Sequence, residues 1–432
     1  MRSLRLQQGQ VVALLFAGYG ALYFCRADLS VGAPLIIDQL SRRGMSHDEA
    51  IVRIGTISSL GVLAYALGKL FLGGLGDYWG GRISFLIGLA GATIFTLLFA
   101  AGGTVPIFMA AWFGNRLTQS IAWAGLIKVS SKWFDYSSYG MILGILSLSY
   151  LVGDATARQT MGVLIRHGFA WQTLFGYAAA VTGMLFAANW FLLRESRAER
   201  GFAEARTNPL SLFASAESRA PSLRALLGPL LRSRAFVLVC LLSLGCTIIR
   251  ETFNIWTPVY LRDYLGYSTG TAAGTSAIFP AVGAVSVLLS GWLSDRLGAN
   301  GRALILLVGL VASTGALLIL TTFRSGTHHP LLPLVTIGIV AFCLLGPYSY
   351  LGGAFALDFG GKQASAVTSG IIDGVGYLGA VAAGDSVGRV SVALGWQGVF
   401  VALAAVSALA AAGAGTLYFM NSKASQRGGR LP

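Results

Sequence analysis

The chain has 432 residues, 55% of them hydrophobic and only 11% charged, with a formal net charge of +14. Soluble proteins carry about 25% charged residues, so this composition and a mean hydropathy of +0.69 exclude an ordinary soluble domain. The basic residues sit in short gaps between apolar runs, which argues against a nucleic-acid surface and reads as membrane topology through the positive-inside rule.

A helix needs about 20 apolar residues to cross the bilayer core. Twelve segments meet that demand, at roughly 9–37, 52–76, 82–101, 104–131, 139–166, 171–193, 234–262, 271–294, 303–323, 332–357, 364–392 and 397–420. No cleavable signal peptide is expected, because the first apolar run is long and continues into a polar-dotted helix. The one long polar stretch follows the sixth segment and is rich in arginine without lysine. It is therefore expected in the cytoplasm, with both basic termini. The predicted architecture is an all-α membrane protein of 12 transmembrane helices in two pseudo-symmetric bundles. Residues 1–193 form the first, 194–233 the linker and 234–432 the second.

The first helix carries Arg26 at its middle, and the seventh carries Arg250. An arginine at the bilayer centre costs about 2.5–3.5 kcal/mol on insertion scales, so each needs a reason. A guanidinium fork suits a phosphate or carboxylate. The alternative is pairing with nearby acids, Asp28 or Asp154 for Arg26 and Glu251 for Arg250. Neighbours one or two residues apart diverge on a helix, which disfavours Asp28 and Glu251. Tyr19, Tyr23 and Arg26, at i, i+4 and i+7, share one face. In the second helix Lys69 lies about two turns from the end, placed either to snorkel or to face a cavity. Further acids and arginines sit within later helices: Asp154, Arg158, Glu251, Asp373, Asp385 and Arg389. They read as ion pairs or as proton carriers.

The two halves echo each other. Arg26 precedes Pro34 by the same interval as Arg250 precedes Pro258. The run Gly73–Arg82 is matched by Gly291–Gly298, and W-Q-x-x-F recurs at Trp171 and Trp396; the offsets are 224, 218 and 225 residues. This points to a parallel duplication with a midplane site between the repeats.

These residues resemble the organophosphate:phosphate antiporters of the major facilitator superfamily, over nearly the whole chain. The resemblance rests on Y-x-x-x-Y-x-x-R (Tyr19, Tyr23, Arg26) and on A-Y-x-x-x-K with a later Asp (Ala64, Tyr65, Lys69, Asp77). It extends to R-x-x-x-x-x-W-x-P-x-Y-L (Arg250, Trp256, Pro258, Tyr260, Leu261), G-P (Gly346, Pro347) and G-Y-L-G (Gly376–Gly379). It implies that Arg26 and Arg250 bind a phosphoryl group, with Tyr19, Tyr23 and Lys69 lining the same site and Trp123 and Tyr377 in its wall. It also implies a gating role for Asp77 and Arg82 in the loop after the second helix, and for Asp295, Arg296 and Arg302 in the other half. Three departures stand out. Ala27 follows Arg26 where the family has Lys; Tyr150 stands where glycerol-3-phosphate members have His; A-W-A-G-L (Ala122–Leu126) replaces G-W-P-P-C.

The expected function is secondary transport of a small organic anion, an organic phosphate exchanged for inorganic phosphate, by a monomer in a bacterial inner membrane. No cofactor, metal or nucleic acid is expected. Neither a nucleotide-binding loop nor zinc spacing nor a Ser/His/Asp set points to an enzyme, and the four cysteines read as buried small hydrophobes. Two alternatives stay open: a proton-coupled organic carboxylate symporter, echoed by F-C-R-A-D-L-S-V (Phe24–Val31), and a transporter-derived sensor of phosphate esters.

Overall fold

The computed structural model describes residues 4–72, 79–135, 139–205, 230–324 and 331–426. These are helical almost throughout. The helices are α1 (Leu4–Arg42), α2 (His47–Leu72), α3 (Gly81–Ala101), α4 (Val105–Gln119), α5 (Ala122–Trp133), α6 (Tyr139–Arg166) and α7 (Trp171–Leu192). They continue with α8 (Arg234–Val259), α9 (Thr269–Thr275), α10 (Ile278–Leu320), α11 (Leu331–Tyr350), α12 (Ala356–Ala380) and α13 (Asp385–Gln426). Lipid offers the backbone no hydrogen-bond partners, so an apolar chain must satisfy its own amides as helix. Among the described residues nine stretches are long and apolar enough to span a bilayer. One of them, Thr368–Ser422, has 55 residues, length enough for two passes, and is broken at Gly395 with φ 69. The chain is an all-α, multi-pass membrane protein.

The helix boundaries correct the expected spans in places. The fourth, expected unbroken over 104–131, is split at Ser120 and Ile121 into α4 and α5. The eighth opens as the short α9 and continues into α10, which also carries the ninth; the two spans themselves, Thr269–Leu293 and Gly301–Leu320, fall close to the expected bounds.

The helices gather into two compact units. The first holds Met1–Pro209 with Thr257–Arg262 and Tyr267–Ala277; the second holds Leu210–Trp256, Asp263–Gly266 and Ile278–Pro432. In the first unit α1 packs on α6 and α7, α3 on α4 and α7, and α2 on α4. Helices α1 and α6 meet backbone to backbone, since a Cβ on Gly153 would lie 2.3 Å from the Gly20 carbonyl oxygen. Small residues make that approach possible. At another end of the unit, Arg262 donates to the Pro34 carbonyl at 2.6 Å and to both Asp38 carboxylate oxygens at 2.7 Å. In the second unit α10 packs on α11 and α13. Phe253 stacks on Phe279 at 5.1 Å, and the Trp256 indole donates to the Ala383 carbonyl at 2.8 Å.

Pro34, Pro258 and Pro347 lie within helices beyond the first turn. Each lacks an N–H and so opens the hydrogen-bond ladder one turn back. Shortly after Pro258 and Pro347 the helix widens into a π turn, Tyr260–Tyr264 and Leu351–Phe355. Such turns recur at functional sites. Helix α1 has a further break at Cys25 (φ −80, ψ 16), one residue before Arg26.

Candidate functional site: two arginine centres

The break at Cys25 builds the first centre. Its carbonyl accepts from Gln119 Nε2 at 3.3 Å, while Gln119 Oε1 accepts from Arg26 Nε at 2.6 Å. Gln119 also donates to Asn115 Oδ1 at 2.5 Å, so one face of α4 clamps both the kink and the guanidinium. Arg26 Nη1 donates to the Tyr23 hydroxyl at 3.0 Å.

The ring of buried Tyr65 is the hub of this centre. Arg26 Cζ lies 4.4 Å from its centroid, Arg116 Cζ 4.9 Å and Lys69 Nζ 5.4 Å. A desolvated cation over an aromatic face gains about 0.5–2 kcal/mol, which offsets part of the burial cost without supplying an opposite charge. Asp28 faces this cluster: it is fully buried, and Arg116 acts on it electrostatically. Asp28 Oδ1 accepts from the Leu29 amide at 2.7 Å, whereas Oδ2 has no hydrogen-bond partner among the described residues. The predicted aromatic residues form a wall beside the cluster. Ring centroids are 5.0 Å apart for Tyr19–Trp123, 5.9 Å for Tyr19–Tyr23 and 5.5 Å for Tyr23–Tyr150.

The second centre surrounds Arg250 in α8. Nη1 donates to the Tyr348 hydroxyl at 3.1 Å, and Cζ lies 4.7 Å from the Tyr348 ring and 5.3 Å from the Tyr377 ring. Its other edge is taken by a carboxylate. Glu251 Oε1 accepts from Nη2 at 2.7 Å and from Nε at 3.1 Å. The argument that adjacent residues diverge on a helix therefore fails here. Both side chains are long and buried, and in a medium without water their heads turn together because an ion pair costs less than two separate charges.

Of the remaining predicted residues, Asp373 lies near enough to the second centre to act electrostatically on Tyr348. Arg158 and Asp154 form a buried i,i+4 pair at 3.0 Å, and Arg158 also donates to Ser276 at 3.1 Å. Asp385 and Arg389 pair at 2.7 Å, with Arg389 exposed and Asp385 half-buried. Asp373 packs on Gly352, where a Cβ would come within 2.6 Å of its carboxylate. Asp77 lies outside the described residues, as do the side chains of Asp295 and Arg296. Arg302 is half-buried in α10. Arg82 binds the C-terminal carbonyls of α7, Trp190 and Leu193. Glu195 caps the start of α3, accepting from the Gly81 and Arg82 amides at 2.9 and 2.6 Å and from Lys132 Nζ at 2.7 Å. Burial pushes the Glu195 carboxyl up, but these donors more than offset it and hold it below the usual carboxylate range.

Sequence reasoning passed over Arg116, Gln119, Tyr348 and Glu195, and quoted Tyr65 only within a motif. The criterion of a cation within an apolar span that singled out Arg26 and Lys69 applies equally to Arg116, although Lys69, expected about two turns from its helix end, lies in the last turn of α2 as described. Tyr65 is four residues before Lys69, hence on its face.

A model of the Major Facilitator Superfamily matches residues 15–384. The chain is 26% identical over 420 residues to the "Probable hexose phosphate transport protein" of Chlamydia trachomatis serovar D, covering 92% of this chain and 88% of that one. It is 23% identical over 404 residues to the glycerol-3-phosphate transporter of Bacillus subtilis, covering 91% and 88%. In fold it is similar to a bacterial homologue of the human lysosomal transporter Spinster, with a TM-score of 0.77 at 16% identity over 95% of this chain and 97% of that one. With its helical architecture and a match across most of its length, the chain belongs to the Major Facilitator Superfamily and is a membrane transporter rather than an enzyme.

Proposed function

We propose that this protein exchanges an organic phosphate for inorganic phosphate by alternating access, and that the phosphoryl group binds at Arg26, Lys69 and Arg250. The observation that carries the reading is the convergence of Arg26, Lys69 and Arg116 on one buried tyrosine ring. Positive charge is costly in a membrane interior, and a multiply charged anion is the solute that repays it. The similarity to transporters of hexose phosphate and glycerol 3-phosphate supports the same class. The wall of Tyr19, Tyr23, Trp123 and Tyr150 offers aromatic faces and hydroxyls to the organic part, with Tyr377 beside Arg250. Tyr150, where the sequence departs from glycerol-3-phosphate members, sets which organic part fits. The carrier works as a monomer in a bacterial inner membrane with both termini in the cytoplasm. The test is counterflow in phosphate-loaded proteoliposomes against a panel of phosphate esters and carboxylates. Uptake of at least one ester and of no carboxylate is expected; carboxylate uptake alone would overturn the reading.

One observation favours a second reading, proton-coupled symport. Asp28 is buried against the cation cluster with one carboxylate oxygen lacking a hydrogen-bond partner among the described residues. Intramembrane carboxyls of this kind serve as proton carriers.

A further inference from the structure

A guanidinium presents to an oxyanion the edge formed by Nε and one terminal nitrogen, where two parallel N–H groups match two oxygens. At Arg250 that edge is held by Glu251 Oε1, at 3.1 Å from Nε and 2.7 Å from Nη2. Arg250 and Glu251 are each about nine-tenths buried, with 9% and 8% exposure. Asn254 Nδ2 donates to the same oxygen at 3.4 Å. At Arg26 the corresponding Nε contact goes to the neutral amide oxygen of Gln119. The difference matters because a phosphoryl group arriving at Arg250 must replace a negative group, whereas at Arg26 Nε it replaces a dipole.

We propose that Glu251 is an internal counterion that holds Arg250 when the site is empty and gives up the Nε–Nη2 edge to the phosphoryl group of the substrate. Glu251 is a positioning residue: it acts through Arg250 and does not touch the phosphate. The exchange keeps Arg250 neutralised in both states, so no bare guanidinium is left in the low-dielectric interior when substrate departs. It also makes binding weaker than the cations alone would give, which speeds release. A carrier needs that release on every cycle. The inference rests on the reading that Arg250 binds the phosphoryl group.

The experiment uses the purified full-length protein in detergent, with inorganic phosphate as the probe and calorimetry as the readout. Glu251→Gln removes the competing charge and keeps the shape, and phosphate should bind about tenfold more tightly than to the parent. Replacing a glutamate that serves packing alone would leave phosphate affinity unchanged or lower it. In proteoliposome exchange the same variant should show a lower KM together with a lower maximal rate, because release slows. Glu251→Asp draws the charge back by one methylene and should fall between parent and glutamine variant. It also serves alone if the glutamine variant is not recovered folded. Phosphate affinity equal to or below the parent's in the folded variants, with Arg250→Gln clearly weakened, overturns the counterion and leaves Arg250 as an anion site. Unchanged affinity in Arg250→Gln overturns both.

Discussion

The surroundings of Arg26 and Arg250 occupy equivalent places in the duplicated sequence, yet they neutralise their arginines in different ways. Arg26 donates to the neutral oxygens of Gln119 and Tyr23 and lies over the rings of Tyr23 and Tyr65, with Lys69 and Arg116 on the latter ring. Arg250 sits between two tyrosine rings and carries its own carboxylate. A duplication thus preserved the position of the charge while the means of bearing it diverged. The first centre gathers three cations on one ring; the second holds an ion pair, which on the proposed reading an anion must open.

The largest expected effect breaks this comparison if it is wrong. From the sequence alone, with the two arginines in equivalent helices, Arg26→Lys and Arg250→Lys should be comparably damaging. The structure predicts inequality. Each charge-assisted hydrogen bond is worth about 1.5–3 kcal/mol, so Arg26→Gln should cost on the order of a hundredfold in phosphate affinity. Arg250→Gln should cost nearer tenfold, because part of what that arginine offers is spent displacing Glu251. Calorimetry on both variants, with folding checked by size exclusion, decides it. Equal losses would mean that the Glu251 contact is thermodynamically idle.

A smaller effect sharpens the role of the ring between the cations. Tyr65→Leu removes a face that steadies three cations, each contact worth about 0.5–2 kcal/mol. Phosphate affinity should fall several-fold, while Tyr65→Phe should keep most of it. If the phenylalanine variant loses as much as the leucine variant, the hydroxyl rather than the ring is what counts.

The smallest effect lies away from both centres, at Glu195. Its carboxyl titrates below the usual range in the folded protein, so its stabilisation is present above the unfolded carboxylate pKa and is lost as pH falls through the folded value. Glu195→Gln should therefore lower apparent thermal stability at neutral pH by the worth of a helix cap, about 1 kcal/mol. The gap between parent and variant should close as pH drops below the ordinary glutamate value of 4.5. A gap that is constant across that range would assign the effect to shape rather than charge.

Much of the helical order was legible, because a lipid solvent leaves long apolar runs no other backbone solution and the repeats mark themselves at nearly one offset. The mid-helix cations were legible for the same reason: a charge stands out against an apolar run. The aromatic wall of Tyr19, Tyr23, Trp123 and Tyr150 came partly from spacing and partly from family likeness. What the sequence hid was contact across helices. Arg116 meets Tyr65 because α2 packs on α4, and Gln119 bonds both the Cys25 carbonyl at the break in α1 and the adjacent Arg26. The Arg250–Glu251 pair was misjudged because ideal helix geometry fixes where Cβ points, not where two long side chains end.

The most direct test of the central claim is exchange in proteoliposomes loaded with inorganic phosphate, held at one pH on both sides with protonophore present. If the protein is an exchanger, an external phosphate ester that the counterflow panel identifies as a substrate should enter under these conditions, with phosphate leaving in step. Entry only when an inward proton gradient is imposed, and none in exchange mode, would contradict the account and assign the coupling to a proton carried at a buried carboxyl such as Asp28.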